Sequence, residues 1–148
     1  MKTLLLLAAG LFISLSGQGE TLKPVKWSFT VTKTSEIEAS ILIKASINDG
    51  WHVYAQAIPE GGPLKATFSF IPARSYQLLG SVAEPKPIIR FEEFFNMNVS
   101  YFEEKVVFKQ KIKLTGKGTI VKGAVKFMAC SAKQCLPPET VEFSVPVK

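Results

Sequence analysis

Two cysteines are the residues best suited to chemistry in this 148-residue chain. They lie in the stretch FMACSAKQCLPPETVEF, residues 127 to 143, as Cys130 and Cys135, with Pro137 and Pro138 close behind. Thiols so placed can close a local disulfide, hold a soft metal ion, or exchange disulfides with another protein. The compartment narrows the choice, because disulfides form and persist outside the reducing cytosol.

The chain opens MKTLLLLAAGLFISLSGQGE, with a cation at Lys2, an apolar run from Leu4 to Leu15, and small residues from Ser16 to Gly19. That is the layout of a secretory signal peptide, and the run is too short to span a bilayer comfortably. We expect residues 1 to 19 to be a signal peptide, cleaved after Ser16 or Gly19, with no cysteine there to carry a lipid. Residues 20 to 148 are then one exported domain, periplasmic or otherwise outside the cytoplasm. About 130 residues suffice to bury a core without disulfides. No second apolar run is long enough for a membrane helix, so the mature chain is not expected to span a membrane.

The formal charge is +6, falling to +5 without Lys2. Its distribution argues against a nucleic-acid partner, because the lysines are spread along the chain instead of clustering. In KVVFKQKIKL, Lys109, Lys111 and Lys113 alternate with Phe108, Gln110, Ile112 and Leu114, the wet and dry sides of a half-buried strand. The charge serves solubility.

The same alternation sets the fold class. KWSFTV places Trp27, Phe29 and Val31 on one side, and SILIKASI does so with Ile41, Ile43, Ala45 and Ile47. Further strands are expected at WHVYA (51 to 55), LKATFSF (64 to 70), YQLLGSV (76 to 82), IVKGAVKFM (120 to 128) and VEFSVPV (141 to 147). Turn signals separate them: NDG at 48 to 50, PEGGP at 59 to 63, EPKP at 84 to 87 and TGKG at 115 to 118. No segment keeps a helical period for three turns, and no repeat or linker divides the domain. Short strands with turns every eight to twelve residues predict an all-β, immunoglobulin-like antiparallel sandwich.

With the last two strands paired as a hairpin, Ser131 to Gln134 form a four-residue loop and Cys130 faces Cys135 across its base. Opposed residues of an antiparallel pair lie about 4.5 or 5.5 Å apart at Cα, which suits a disulfide. Such a bond is a weak staple, since closing so small a loop contributes about 2 kcal/mol on the chain-entropy model. Pro137 and Pro138 cannot donate to a ladder, so the chain after Cys135 is an edge or irregular segment and Cys135 is open to another protein. A reactive redox couple fits best. An inert local disulfide in a binding or assembly module is the alternative, and copper(I) held by Cys130, Cys135 and a thioether of Met128 or Met97 is a third reading. A closed zinc set is excluded by the count, with His52 the single histidine. No metal or other cofactor is therefore expected.

Other chemistry is thin. A hydrolytic triad would have to run through His52, which lies in an aromatic strand, and no nucleophile elbow or phosphate loop appears. Glu92 with Glu93 and Glu103 with Glu104 are adjacent carboxylates, an arrangement that usually means solvated charge.

Three stretches together carry a resemblance: DGWHVYAQ (49 to 56), FEEFFNMNVSYFEE (91 to 104) and the cysteine segment ending CLPP (135 to 138). They resemble the periplasmic N-terminal domain of the DsbD-type thiol:disulfide interchange proteins, over most of the mature chain. The resemblance implies an immunoglobulin-like domain that takes electrons from a thioredoxin-like donor and passes them to exported oxidoreductases, a protein-disulfide reductase type of activity. It makes Cys135 the attacking thiol and Cys130 the resolving one. It also implies a cap loop over the cysteines, matched by FEEFF, with Phe94 as the shield flanked by Glu92, Glu93 and Phe95. His52 and Tyr54 match positions where the family carries aromatic side chains near the cysteines. Two departures stand out: the cysteine spacing is one residue shorter than in the best-known members, and Ala129 replaces a glycine often found before the first cysteine. The chain ends at Lys148 without the family's membrane and thioredoxin-like domains, so the expected electron donor is a separate protein.

Overall fold

The computed structural model describes residues 21 to 148, and the expected signal peptide lies outside the described residues. The chain forms antiparallel strands throughout: β1 Val25–Lys33, β2 Glu38–Ile47, β3 Trp51–Tyr54, β4 Thr67–Phe70, β5 Tyr76–Ala83, β6 Ile88–Glu92, β7 Met97–Phe102, β8 Lys105–Leu114, β9 Thr119–Phe127, β10 Ala129–Ser131 and β11 Glu139–Val147. They make sheets in the orders β1-β2-β8-β5, β10-β3-β7-β6 and β11-β9-β4. This is the immunoglobulin-like antiparallel sandwich expected from the strand spacing. Among the described residues no helix is long and apolar enough to cross a membrane.

Period-two patterning explains the core. Along β8, Val106, Phe108, Gln110, Ile112 and Leu114 are buried while Lys105, Lys109, Lys111 and Lys113 are exposed. β2 meets it in register, Ile43 opposite Phe108 and Ile41 opposite Gln110, so both strands turn the same apolar face inward. Val121, Phe127, Phe143 and Val145 of β9 and β11 close the main core from the other side. Ser40 and Gln110 are the polar exceptions, and Gln110 is the more deeply buried, only 1 % exposed. Its side-chain amide donates to the carbonyls of Gly80 at 3.2 Å and Lys111 at 2.8 Å, where β5 loses register after Leu79. A buried amide with such acceptors avoids the cost of an unpaired donor.

The sheet β10-β3-β7-β6 matters most for function because it is apolar on both faces. Val53, Phe102 and Ala129 point into the main core. Tyr54, Val99, Tyr101 and Cys130, one residue out of step with those, form a second small core on the opposite face, with Ile58, Met97 and Met128 packed against it. Three elements here are not evident from sequence patterning: β6, β7 and the separate short strand β10. MNVSYF does alternate Met97, Val99 and Tyr101 with Asn98 and Ser100, a signal hidden by the neighbouring phenylalanines.

The close approach of β4 and β11 at Gly123 is one place where a side chain does not fit. A methyl there would overlap the Ser69 carbonyl oxygen and lie 2.7 Å from Cζ of Phe143. Gly123→Ala is expected to destabilise the fold by about 1 to 3 kcal/mol, the usual cost of overpacking, read as a lower urea midpoint at unchanged slope. An unchanged midpoint would show that β4 can move aside.

Candidate functional site

The cysteines sit where the chain changes sheets. β9 runs beside β11 as far as Phe127, opposite Glu139. Then Ala129, Cys130 and Ser131 pair instead with Val53, His52 and Trp51 of β3. The simple hairpin expected from the sequence is thus corrected in one respect: Cys130 belongs to β10 and to a different sheet from β9. Cys130 and Cys135 do face each other as an isolated antiparallel bridge, Cα atoms 4.0 Å apart, and they are joined by a disulfide. The loop between them closes through the Ser131 amide, which donates to the Gln134 carbonyl at 2.7 Å, and the Leu136 amide donates to the Ala129 carbonyl at 2.9 Å. Ser131 Oγ accepts from the amides of Lys133 and Gln134, both at 3.2 Å, a local turn that serine favours. Pro137 and Pro138 interrupt the ladder, which resumes only at Glu139.

The two sulfur-bearing residues are unequal. Cys130 is fully buried, packed with Tyr54, Val99 and Tyr101. Cys135 is exposed and lines a cleft of about 510 Å³. Also on the cleft wall are His52, Arg90, Glu92, Phe94 and Tyr101. Register explains the gathering. Tyr54 stands opposite Tyr101, Arg90 opposite Val99 and Glu92 opposite Met97, so residues from four strands share one sheet face.

A hydrogen-bonded chain crosses the floor. The Tyr54 hydroxyl donates to the Glu92 carboxylate, both oxygens 2.9 Å away. Its one proton being committed, it accepts from His52 Nε2 at 3.1 Å. That assigns His52 the Nε2–H tautomer and leaves Nδ1 unprotonated. Burial pushes His52 below the ordinary imidazole value, against the opposing pull of Glu92 and Glu103, while Arg90 adds to the fall. Burial and the bond to Glu92 push the Tyr54 hydroxyl far above the usual phenol range. Burial also raises Tyr101, whose hydroxyl has no hydrogen-bond partner and whose ring lies 5.5 Å beneath the Arg90 guanidinium.

The FEEFF stretch forms the end of β6 and its turn into β7. The Phe95 amide donates to the Glu92 carbonyl and the Asn96 amide to the Glu93 carbonyl, both at 3.2 Å. Asn96 takes φ 52°, a left-handed conformation that asparagine tolerates better than most residues. Phe95 is half-buried, edge-on to Tyr54 at 6.5 Å between ring centroids. Glu93 is exposed at the tip. Phe94 is 86 % exposed, with an edge-on contact to Phe95 at 5.5 Å, and it lines the same cleft as Cys135. Neither Phe94 nor Phe91, 54 % exposed, is a core aromatic.

The structure thus brings every sequence-expected site residue to one region, and adds others. Arg90, Tyr101, Glu103 and Lys133 line the same cleft. Glu103, just past the end of β7, reads as solvated charge in the sequence, and Arg90 has no motif around it and is placed by the register of β6 against β7.

The family model described as Thiol:disulfide interchange protein DsbD, N-terminal, matches residues 18 to 146. This chain belongs to the DsbD N-terminal domain family. Thiol-disulfide interchange is therefore its general chemistry, and Cys130 and Cys135 are its only thiols. Solved structures agree on the fold. The chain is similar to the DsbD N-terminal domain of Neisseria meningitidis in its reduced form, at 17 % identity and TM-score 0.51, covering 78 % of this chain and 82 % of that one. It is similar to a chain in the complex between the DsbD N-terminal and PilB N-terminal domains of Neisseria meningitidis, at 16 % identity and TM-score 0.56, covering 84 % and 87 %. The N-terminal periplasmic domain of ScsB from Proteus mirabilis is similar at 17 % identity and TM-score 0.55, over 83 % of this chain and 44 % of that chain. No curated protein sequence matches the chain.

A disulfide between residues five apart that bridges the ends of one loop is expected to add little stability. Denaturant melts of oxidised and reduced protein should differ by about 2 kcal/mol or less. A difference of about 4 kcal/mol, beyond what so short a loop supplies on that model, would make the bond a structural staple.

Proposed function

We propose that this chain is an exported thiol-disulfide carrier that relays electrons between a thioredoxin-like donor and periplasmic oxidoreductases through Cys130 and Cys135. The observation that carries the proposal is the inequality of the pair, Cys135 exposed in the cleft and Cys130 fully buried beneath it. An inert staple has no need of a cleft at one sulfur. A relative, the Neisseria DsbD N-terminal domain, forms a complex with the PilB N-terminal domain, which supports a protein partner.

In the direction that reduces a partner, the Cys135 thiolate attacks one sulfur of the partner's disulfide. The Cys135–partner bond forms, the partner's own S–S bond breaks, and its second sulfur leaves as a thiolate. Cys130, once deprotonated, then attacks Cys135, re-forming the internal disulfide and releasing the partner's first sulfur. Two electrons have moved to the partner, whose two thiolates take up two protons. Recharging from the donor runs the same steps in reverse.

Phe94 is the gate in this reading. Its backbone is rooted at Glu92, which Tyr54 holds, while the tip at Glu93 and Phe94 is free of the core. The exposed ring can close over Cys135 or swing aside for a partner, limiting exchange by access.

Two tests follow from these roles. A Cys130→Ser variant should trap a mixed disulfide with a thioredoxin-like partner, and Cys135→Ser should trap little, as gel shifts under non-reducing conditions would record; equal trapping by both would remove the division of labour, and no trapping by either would favour the inert disulfide. Phe94→Ala should leave stability within about 0.5 kcal/mol, as for an exposed residue, while speeding alkylation of the reduced protein at fixed pH. An unchanged alkylation rate would rule out the gate.

A further inference from the structure

Resolution by Cys130 poses a proton problem that the pair alone does not solve. Cys135 is exposed and can lose its proton to water. Cys130 is fully buried among Tyr54, Val99, Tyr101 and methionines, surroundings that disfavour a thiolate. A thiol so placed needs an internal group to take its proton at the moment it attacks.

We infer that His52 is that group: its Nδ1 accepts the Cys130 thiol proton in the resolving step and returns it in the reverse step. The inference rests on the carrier reading above. Three observations support it. First, His52 is the residue directly opposite Cys130 in the β3–β10 pair. Side chains so opposed share a sheet face, with Cβ atoms about 4.5 to 5.5 Å apart. Second, the bond from Nε2–H to Tyr54 fixes the tautomer, so the unprotonated nitrogen is Nδ1. Third, that bond continues to the Glu92 carboxylate, which lies two bonds away from the imidazolium that forms. Glu103 also favours the charged ring, while burial and Arg90 oppose it. The remaining charged groups of the cleft, Glu93 and Lys133, are exposed on the two flanking loops. Burial thus keeps the ring neutral and ready to accept, and Tyr54 and Glu92 stabilise what it becomes.

Other bases are worse placed. Glu92 accepts from Tyr54 and stands on β6, the strand of this sheet farthest from β10, and the hydroxyls of Tyr54 and Tyr101 are held protonated. With His52 acting, the step balances without an added reagent. The thiol proton moves to Nδ1, the Cys130 sulfur displaces the partner's sulfur from Cys135, and the imidazolium proton goes to the departing thiolate or to solvent.

The test separates the two steps with a small aromatic disulfide, 5,5′-dithiobis(2-nitrobenzoate), and the reduced full chain. The first coloured thiolate reports attack by the exposed thiol, and the second reports resolution by the buried one. His52→Gln keeps a donor for Tyr54 but has no basic nitrogen. It should leave the first release within about twofold and slow the second on the order of 100-fold near neutral pH, the low end for a positioned proton transfer. Its second release should also keep rising with pH beyond the ordinary thiol value of about 8.5, because burial disfavours the Cys130 thiolate, whereas the wild-type rate is expected to be flat there. Retention of the wild-type rate and pH profile by the variant would overturn the inference. Equal slowing of both releases would also overturn it, since that reports a distorted site. A wild-type protein that never gives a second release would instead defeat the carrier reading itself.

Discussion

The pairing of β10 with β3 is the constraint on which this site depends. Only three residues long, β10 takes the chain out of the β9–β11 hairpin and attaches it to another sheet. The period of a strand is two, so that attachment also decides the face. Ala129 turns into the main core and Cys130 turns away from it, towards His52, Tyr54 and Tyr101. A slip of one residue would turn Cys130 into the main core, away from His52 and Tyr54. Ala129 fits this duty, being 3 % exposed and backed by Val53. A glycine at the same place would loosen the strand through backbone entropy.

The two-sided sheet then has a consequence for stability. The second core is small, and a buried Tyr54 hydroxyl would be costly there without a partner. Glu92 supplies that partner from β6, and in doing so ties the root of the hairpin that carries Phe94 to the floor beneath Cys130. Packing, polar satisfaction and placement of the loop are thus one arrangement. The free tip beyond Glu92 contrasts with it: the half-buried Phe95 leans on Tyr54, and the next ring outward, Phe94, stands in solvent.

Much of this was legible from the chain itself. The alternation in β1, β2, β8, β9 and β11 specifies the sandwich because each of those strands buries one face and wets the other. The prolines after Cys135 mark the break in the ladder for the simple reason that they lack an N–H. The sheet change at Met128 was not legible, since nothing in VKFMACS distinguishes one continuous strand from two. Nor was the part played by Arg90 and Tyr101, because β6 is exposed along most of its length and the alternation of β7 is masked by the neighbouring phenylalanines. Their assembly with Cys130 is a matter of cross-strand register between distant segments, and a single sequence carries no direct record of register.

The exposed apolar residues follow the same logic to the protein's surface. Ile88, Ile89, Phe91 and Phe94 are 41 %, 67 %, 54 % and 86 % exposed, all on the β6–β7 hairpin, and Phe91 and Phe94 line the cleft with Cys135. β6 is moreover an edge strand among the described residues, with β7 on one side. Scattered apolar residues on a surface are ordinary, but four on one hairpin, two of them lining the cleft with Cys135, make a concentration. Under the carrier reading a partner must bring its own sulfur against Cys135, and it cannot do so without covering this hairpin. Apolar contact here has no preferred direction, so it can serve both a donor and an acceptor. On that reading the charged residues lining the cleft, Arg90, Glu93 and Lys133, are the ones that discriminate among partner surfaces. A weak, general attraction at the hairpin and a selective rim suit a carrier that must release each partner as soon as the electrons have moved.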